Sequence, residues 1–93
     1  MTTTKPWHGV LTATALPFKA DLSIDFDKYA DHIKWQAANG VHGVIPNGSL
    51  GEYQVLTPEE RTKVLQTALD AAPAGFNVVP GVAAYGAAES RRW

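Results

Sequence analysis

Five consecutive residues, Gly48-Ser49-Leu50-Gly51-Glu52, have the types and the spacing to do chemistry. The two glycines can turn successive backbone N–H groups towards one point, a geometry suited to a carboxylate or a phosphate. Ser49 adds a hydroxyl that both donates and accepts. The same string also makes an ordinary connecting turn, since short glycine-rich loops are common connectors. No Lys-Ser/Thr pair follows Gly51, so a P-loop is excluded. Glu52 shares the loop, where it either braces the backbone or reaches a ligand.

Other polar residues are less suited to catalysis. His8, His32 and His42 lack metal-ligand spacing and read as solvated or locally hydrogen-bonded side chains. With Cys absent, disulfides, thiolate nucleophiles and Cys-ligated metal are excluded, and no cofactor is expected. Glu59 and Glu60 stand in a first helical turn, where a carboxylate answers the helix dipole or caps it. A Schiff-base lysine needs a desolvated position that lowers its pKa. Lys28, Lys34 and Lys63 fall on helices, Lys5 precedes the first strand, and Lys19 sits in the polar loop Lys19-Ala20-Asp21. None is buried in a strand. Trp7, Trp35 and Trp93 fall in unlike segments and form no base-stacking platform.

The elements that must position the loop alternate. Val10–Ala15 is a β-favouring run stopped before Pro17, and Val41–Pro46 and Phe76–Val82 are similar runs ending at or near a proline. Phe26, Tyr29, Ala30, Ile33 and Ala37 repeat at helical steps, with Asp25 to cap the start and Gly40 to end the helix. Thr57-Pro58-Glu59-Glu60 is a capping box with proline in the first turn. That helix presents Arg61, Val64, Leu65, Ala68 and Ala72 on one face and closes at Pro73 and Gly75, and Ala87–Trp93 begins a third helical pattern.

The order is β-α-β-α-β-α, with Gly9, Gly43 and Asn77 as corresponding strand residues 34 apart. This is an α/β chain, the first three βα units of an incomplete (β/α)₈ TIM barrel, since a closed barrel takes about 250 residues. Ligands in such folds bind at the C-terminal strand ends, which here are residues 14–19, 46–54 and 80–86. His8 and His42 precede strands and belong to the opposite face.

The chain has 93 residues, 45% apolar and 18% charged, with a net charge of −1. That composition suits one small globular core and gives no electrostatic footprint for nucleic acid or an anionic membrane. No run approaches the roughly 18 apolar residues of a membrane span. The segment Met1–His8 lacks the apolar stretch of a secretory signal, so a cytoplasmic location is expected.

Taken in order, Gly9-Val10 to Ala15-Leu16-Pro17-Phe18, Asp25-Phe26, Gly40-Val41-His42-Gly43-Val44, Gly48-Ser49-Leu50-Gly51-Glu52-Tyr53 and Leu56-Thr57-Pro58-Glu59-Glu60-Arg61 resemble a known family. The pattern is similar to the N-terminal third of the dihydrodipicolinate synthase and N-acetylneuraminate lyase superfamily. The resemblance implies a (β/α)₈ barrel, usually a homotetramer, acting as a class I aldolase through a Schiff base between a lysine and pyruvate or another 2-oxo acid. It implies that the N–H groups of Ser49 and Leu50 hold the 2-oxo acid carboxylate and that the Ser49 hydroxyl relays a proton to a catalytic tyrosine.

Leu50 replaces the family's second threonine, and Leu16-Pro17-Phe18 replaces its usual Thr-Pro-Phe. These departures point to a less-characterised aldolase or dehydratase branch. The family's Schiff-base lysine and tyrosine lie on later strands than this chain contains, and neither Tyr53 nor Tyr85 matches the tyrosine. The chain alone is therefore expected to be inactive, either as a truncated lyase or as a short non-catalytic product that assembles with other βα units.

Overall fold

A computed structural model describes residue 5 and residues 7–93, so most of the polar N-terminal segment read for a secretory signal, residues 1–4 and Pro6, lies outside the described residues. The elements run β1 (Leu11–Thr12), α1 (Phe26–Ala38), β2 (Gly43–Val44), α2 (Pro58–Ala71), β3 (Asn77–Val78) and α3 (Ala87–Arg92), with a short 3-10 turn at Tyr53–Val55. The sheet order is β1-β2-β3, and both pairings are parallel.

Local chemistry sets both long helices. Asp25 accepts from the Lys28 N–H at 2.9 Å and caps α1. Both halves of the capping box form on α2: the Glu60 N–H donates to the Thr57 hydroxyl at 3.1 Å and the Thr57 N–H donates to the Glu60 carboxylate at 2.8 Å. Gly40 and Gly75, past the two helix ends, have φ of +90° and +84°, which glycine adopts without a Cβ penalty.

The regular strands are two residues long, shorter than the runs expected from composition. Pairing continues beyond them, through Ile45 N–H to Thr12 C=O at 2.8 Å, Val79 N–H to Val44 C=O at 2.9 Å and Gly81 N–H to Pro46 C=O at 2.8 Å. Pro17 and Pro46 have no N–H to carry the ladder further, whereas on the β3 side it runs past Pro80 to Gly81. The register also corrects the sequence spacing. Leu11, not Gly9, pairs with Gly43, whereas Gly43 does pair with Asn77. Gly9 lies before the strand at φ +89°, where a side chain would meet the His42 ring.

Leu16, Ile24, Tyr29, Ile33, Val44, Val64, Ala68 and Ala71 form the core between the sheet and the pair α1 and α2. In the last turn of α2, Ala68 and Ala71 are buried, and Ala72 is only half-buried. Gln36 also faces inward on α1, next to Thr12, whose hydroxyl donates to the Gln36 side-chain oxygen at 2.5 Å. The molecule measures 43 × 34 × 18 Å. Eighteen ångströms is room for one sheet and one helix layer, so the second face of the sheet is uncovered. Among the described residues, no helix is long and apolar enough to cross a membrane.

Candidate functional site

Backbone strain gathers where the strands end. Leu22, Asn47 and Glu52 are the described non-glycine residues with positive φ, at +73°, +60° and +60°. Leu22 lies in the loop after β1, and the other two lie in the loop after β2. Left-handed backbone at non-glycine residues costs energy and persists only where its surroundings impose it.

Within the second loop, the N–H groups of Gly51 and Glu52 donate to the Gly48 and Ser49 carbonyls at 3.0 and 3.1 Å, and that of Tyr53 to the Gly48 carbonyl at 3.4 Å. The N–H groups of Ser49 and Leu50 donate to no acceptor among the described residues. Ser49 and Leu50 are both exposed, Leu50 by 64%. The loop therefore spends its later N–H groups on its own folding and presents the two in the middle. Glu52 is exposed and has no capping hydrogen bond from its side chain.

Two buried residues beneath the loop were not singled out as site residues from sequence. Asn47 is 2% exposed, and its side-chain amide donates to the Arg61 carbonyl at 3.1 Å. Arg61 is 5% exposed and donates through its guanidinium to the Ala83 carbonyl at 3.0 Å and the Gly81 carbonyl at 3.2 Å. The rings of Tyr53 and Trp93 lie over that guanidinium, at 5.2 and 4.3 Å to their centroids. Burial lowers the Arg61 pKa, with opposing pulls from Tyr53 and Glu89. Arg61 thus joins the third strand-end loop to the second. Its appearance in an apolar slot of the α2 periodicity was the available signal.

The remaining candidates separate cleanly. Lys19 is exposed in a turn closed by Leu22 N–H to Lys19 C=O at 2.9 Å, away from any desolvated position. Beside it, hydrogen bonds from the Ser23 hydroxyl and N–H hold the exposed Asp21 carboxyl below its usual range. His42 lies at the opposite end of the sheet and accepts the Val10 N–H at 2.8 Å, with the His8 ring edge-on at 6.1 Å. His32 stacks on Trp35 at exposed positions of α1. A cleft of about 640 Å³ runs along Ala15, Leu16 and Pro17 beside α1, on the open β1 edge. Ser49 and Leu50 do not line it.

The family model for dihydrodipicolinate synthetases matches residues 6–93. The chain belongs to the dihydrodipicolinate synthetase family. An uncharacterized DapA-like lyase of Halobacterium salinarum is 42% identical over 77 residues, covering 83% of this chain and 25% of that protein. A 4-hydroxy-tetrahydrodipicolinate synthase of Ehrlichia canis is 43% identical over 58 residues, covering 62% of this chain and 20% of that protein. Among solved structures, dihydrodipicolinate synthase from Aquifex aeolicus superposes with a TM-score of 0.74 at 30% identity, covering 80% of this chain and 25% of that one. Proteus mirabilis N-acetylneuraminate lyase superposes at 0.83 with 28% identity, covering 90% of this chain and 28% of that one.

The chain spans about a quarter of the length of these relatives. Its three βα units match a segment of the barrel of dihydrodipicolinate synthetases. In this segment of the dihydrodipicolinate synthetase fold, the Ser49 loop lies at the C-terminal end of β2, on the rim where barrel enzymes place their active sites.

Proposed function

We propose that this chain supplies the carboxylate-binding loop of a Schiff-base-forming lyase that acts on pyruvate or another 2-oxo acid. The two free N–H groups of Ser49 and Leu50 carry this reading, because they offer a pair of unspent donors at the C-terminal rim. A carboxylate accepts such hydrogen bonds strongly, as a charge-assisted pair. In the reading, the Ser49 hydroxyl relays a proton to a tyrosine on a later strand, and a lysine on a later strand forms the imine with the 2-oxo carbon. Leu50 contributes its N–H and an apolar side chain, which turns the pocket towards a less polar second substrate than a threonine there would select. The chain alone performs no aldol chemistry, because its lysines are not placed in a strand.

Titrating the chain with pyruvate while following backbone amide resonances tests the binding half. The Ser49 and Leu50 resonances should shift together, and resonances in α1 should stay fixed. Silence at both positions sinks the reading. Pyruvate with borohydride should leave the intact mass unchanged, and a reduced pyruvate adduct on any lysine, Lys19 included, contradicts the assignment of the imine to a later strand. In a complete barrel carrying this loop, Ser49→Ala should lower kcat by roughly 10²–10⁴-fold with KM little changed, the pattern of lost proton transfer. A raised KM with kcat intact would make Ser49 a binding group only.

A further inference from the structure

We propose that Asn47 is the positioning residue of the Ser49 loop, holding the two free N–H groups in place through the Arg61 carbonyl without touching the ligand. The inference rests on the carboxylate-binding reading and deepens it. Asn47 stands immediately before Gly48 at φ +60°, a conformation that asparagine tolerates better than most side chains. Its amide donates to the main chain of α2 at Arg61. Its own carbonyl is covered by Gly81, where a Cβ would stand 2.5 Å from the Asn47 oxygen. Side chain and main chain of the residue that launches the loop are therefore both fixed, and the direction of the next two N–H groups follows.

Arg61 makes this tether part of a larger joint. Its carbonyl holds the second strand-end loop through Asn47, and its guanidinium holds the third through Gly81 and Ala83. A left-handed residue alone would set the turn but leave the loop free to swing, whereas the buried amide bond fixes it against a helix. Hydrogen bonds of this kind are worth up to about a factor of ten each, and leaving a buried partner unpaired adds to the loss.

Two variants of the 93-residue chain separate the amide from the backbone angle. Asn47→Gly keeps positive φ at no steric cost and deletes the amide. Asn47→Asp keeps the shape and puts an oxygen against the Arg61 carbonyl. Amide hydrogen exchange without ligand should be about tenfold faster at Gly51 and Glu52 in both variants, with Ile33 in α1 unchanged. Pyruvate, the probe, should be needed at about tenfold higher concentration to shift Ser49 and Leu50. If Asn47→Gly behaves as the parent, the residue supplies only its backbone angle and the proposal fails. If the parent itself ignores pyruvate, the carboxylate reading fails, while loop exchange in the variants still decides for or against the tether. Should Asn47→Gly lose protection throughout, Asn47→Asp decides; protection lost throughout in both marks a residue of the whole fold and overturns a role confined to the loop.

Discussion

Tyr29 is 1% exposed on the inner side of α1, and burial pushes its phenol up to about 12. The folded chain then holds the phenolic proton more tightly than the unfolded chain, whose tyrosine titrates near 10. Stability from this source is complete below about pH 10 and is lost as pH rises from there towards 12. The loss approaches roughly 2–3 kcal/mol at the upper end, since a tenfold change in proton affinity is worth about 1.4 kcal/mol. Denaturant midpoints measured between neutral and strongly alkaline pH should fall steeply for the parent and much less for Tyr29→Phe. Equal slopes would mean that Tyr29 ionises without opening the core. Residue types alone drew attention to the Gly48–Glu52 loop, because a glycine-bracketed hydroxyl at a strand end is a local pattern, while the roles of Ser49 and Leu50 came from the family resemblance. Asn47 and Arg61 were hidden for a different reason: the features that matter, burial and a partner 14 residues away, are tertiary.

Between β2 and β3 the chain has no room for a side chain at Gly43. A Cβ there would lie 2.5 Å from the Asn77 carbonyl oxygen and 2.6 Å from a methyl of Leu11. The carbonyl belongs to the paired strand and cannot swing aside, so Gly43→Ala should cost about 1–3 kcal/mol by forcing the strands apart. At Gly48 the nearest atom to a new Cβ is 3.9 Å away, and Gly48→Ala should leave stability within about 0.5 kcal/mol of the parent. Thermal melts of the two variants make the comparison, and equal melting temperatures would refute the packing argument. The same glycine explains the register. By spacing alone Gly9 is the counterpart of Gly43, but Leu11 is the partner, and its side chain fills the space that Gly43 leaves. Helix starts were legible because Asp25 and the Thr57–Glu60 box act on backbone groups three residues away. Strand lengths were not, because a ladder depends on what lies alongside.

A slab with one helix layer leaves surface exposed where a barrel has an interior. In the extended segment that follows β1, Ala13 and Ala15 are exposed while Thr14 and Leu16 are buried, an alternation like that across a sheet. The radius of gyration, 13.5 Å, exceeds the roughly 12 Å of a compact domain of this length. The chain by itself should therefore self-associate or aggregate as concentration rises, through the uncovered face and the unpaired outer edges of β1 and β3. Sedimentation velocity over a wide concentration range checks this. A soluble monomer with one cooperative melt throughout that range would show that the slab stands alone. Barrel architecture was legible at this scale from the βα alternation, while the uncovered face became visible only once the helices were placed on one side.

Strand order in the sheet is also chain order, β1 then β2 then β3. During synthesis each newly emerged strand therefore finds its neighbour already made, and no pairing among these strands waits for a distant part of the chain. Growth is vectorial, one βα unit at a time along a single edge, so the first two units should dock before β3 exists. In hydrogen-exchange terms, amides of α1 and α2 in nascent chains arrested once Ala71 has emerged should already be protected on the ribosome, which shields the exposed edge from other copies. Protection that appears only after residues 77–81 emerge would show that the first two units wait for the third.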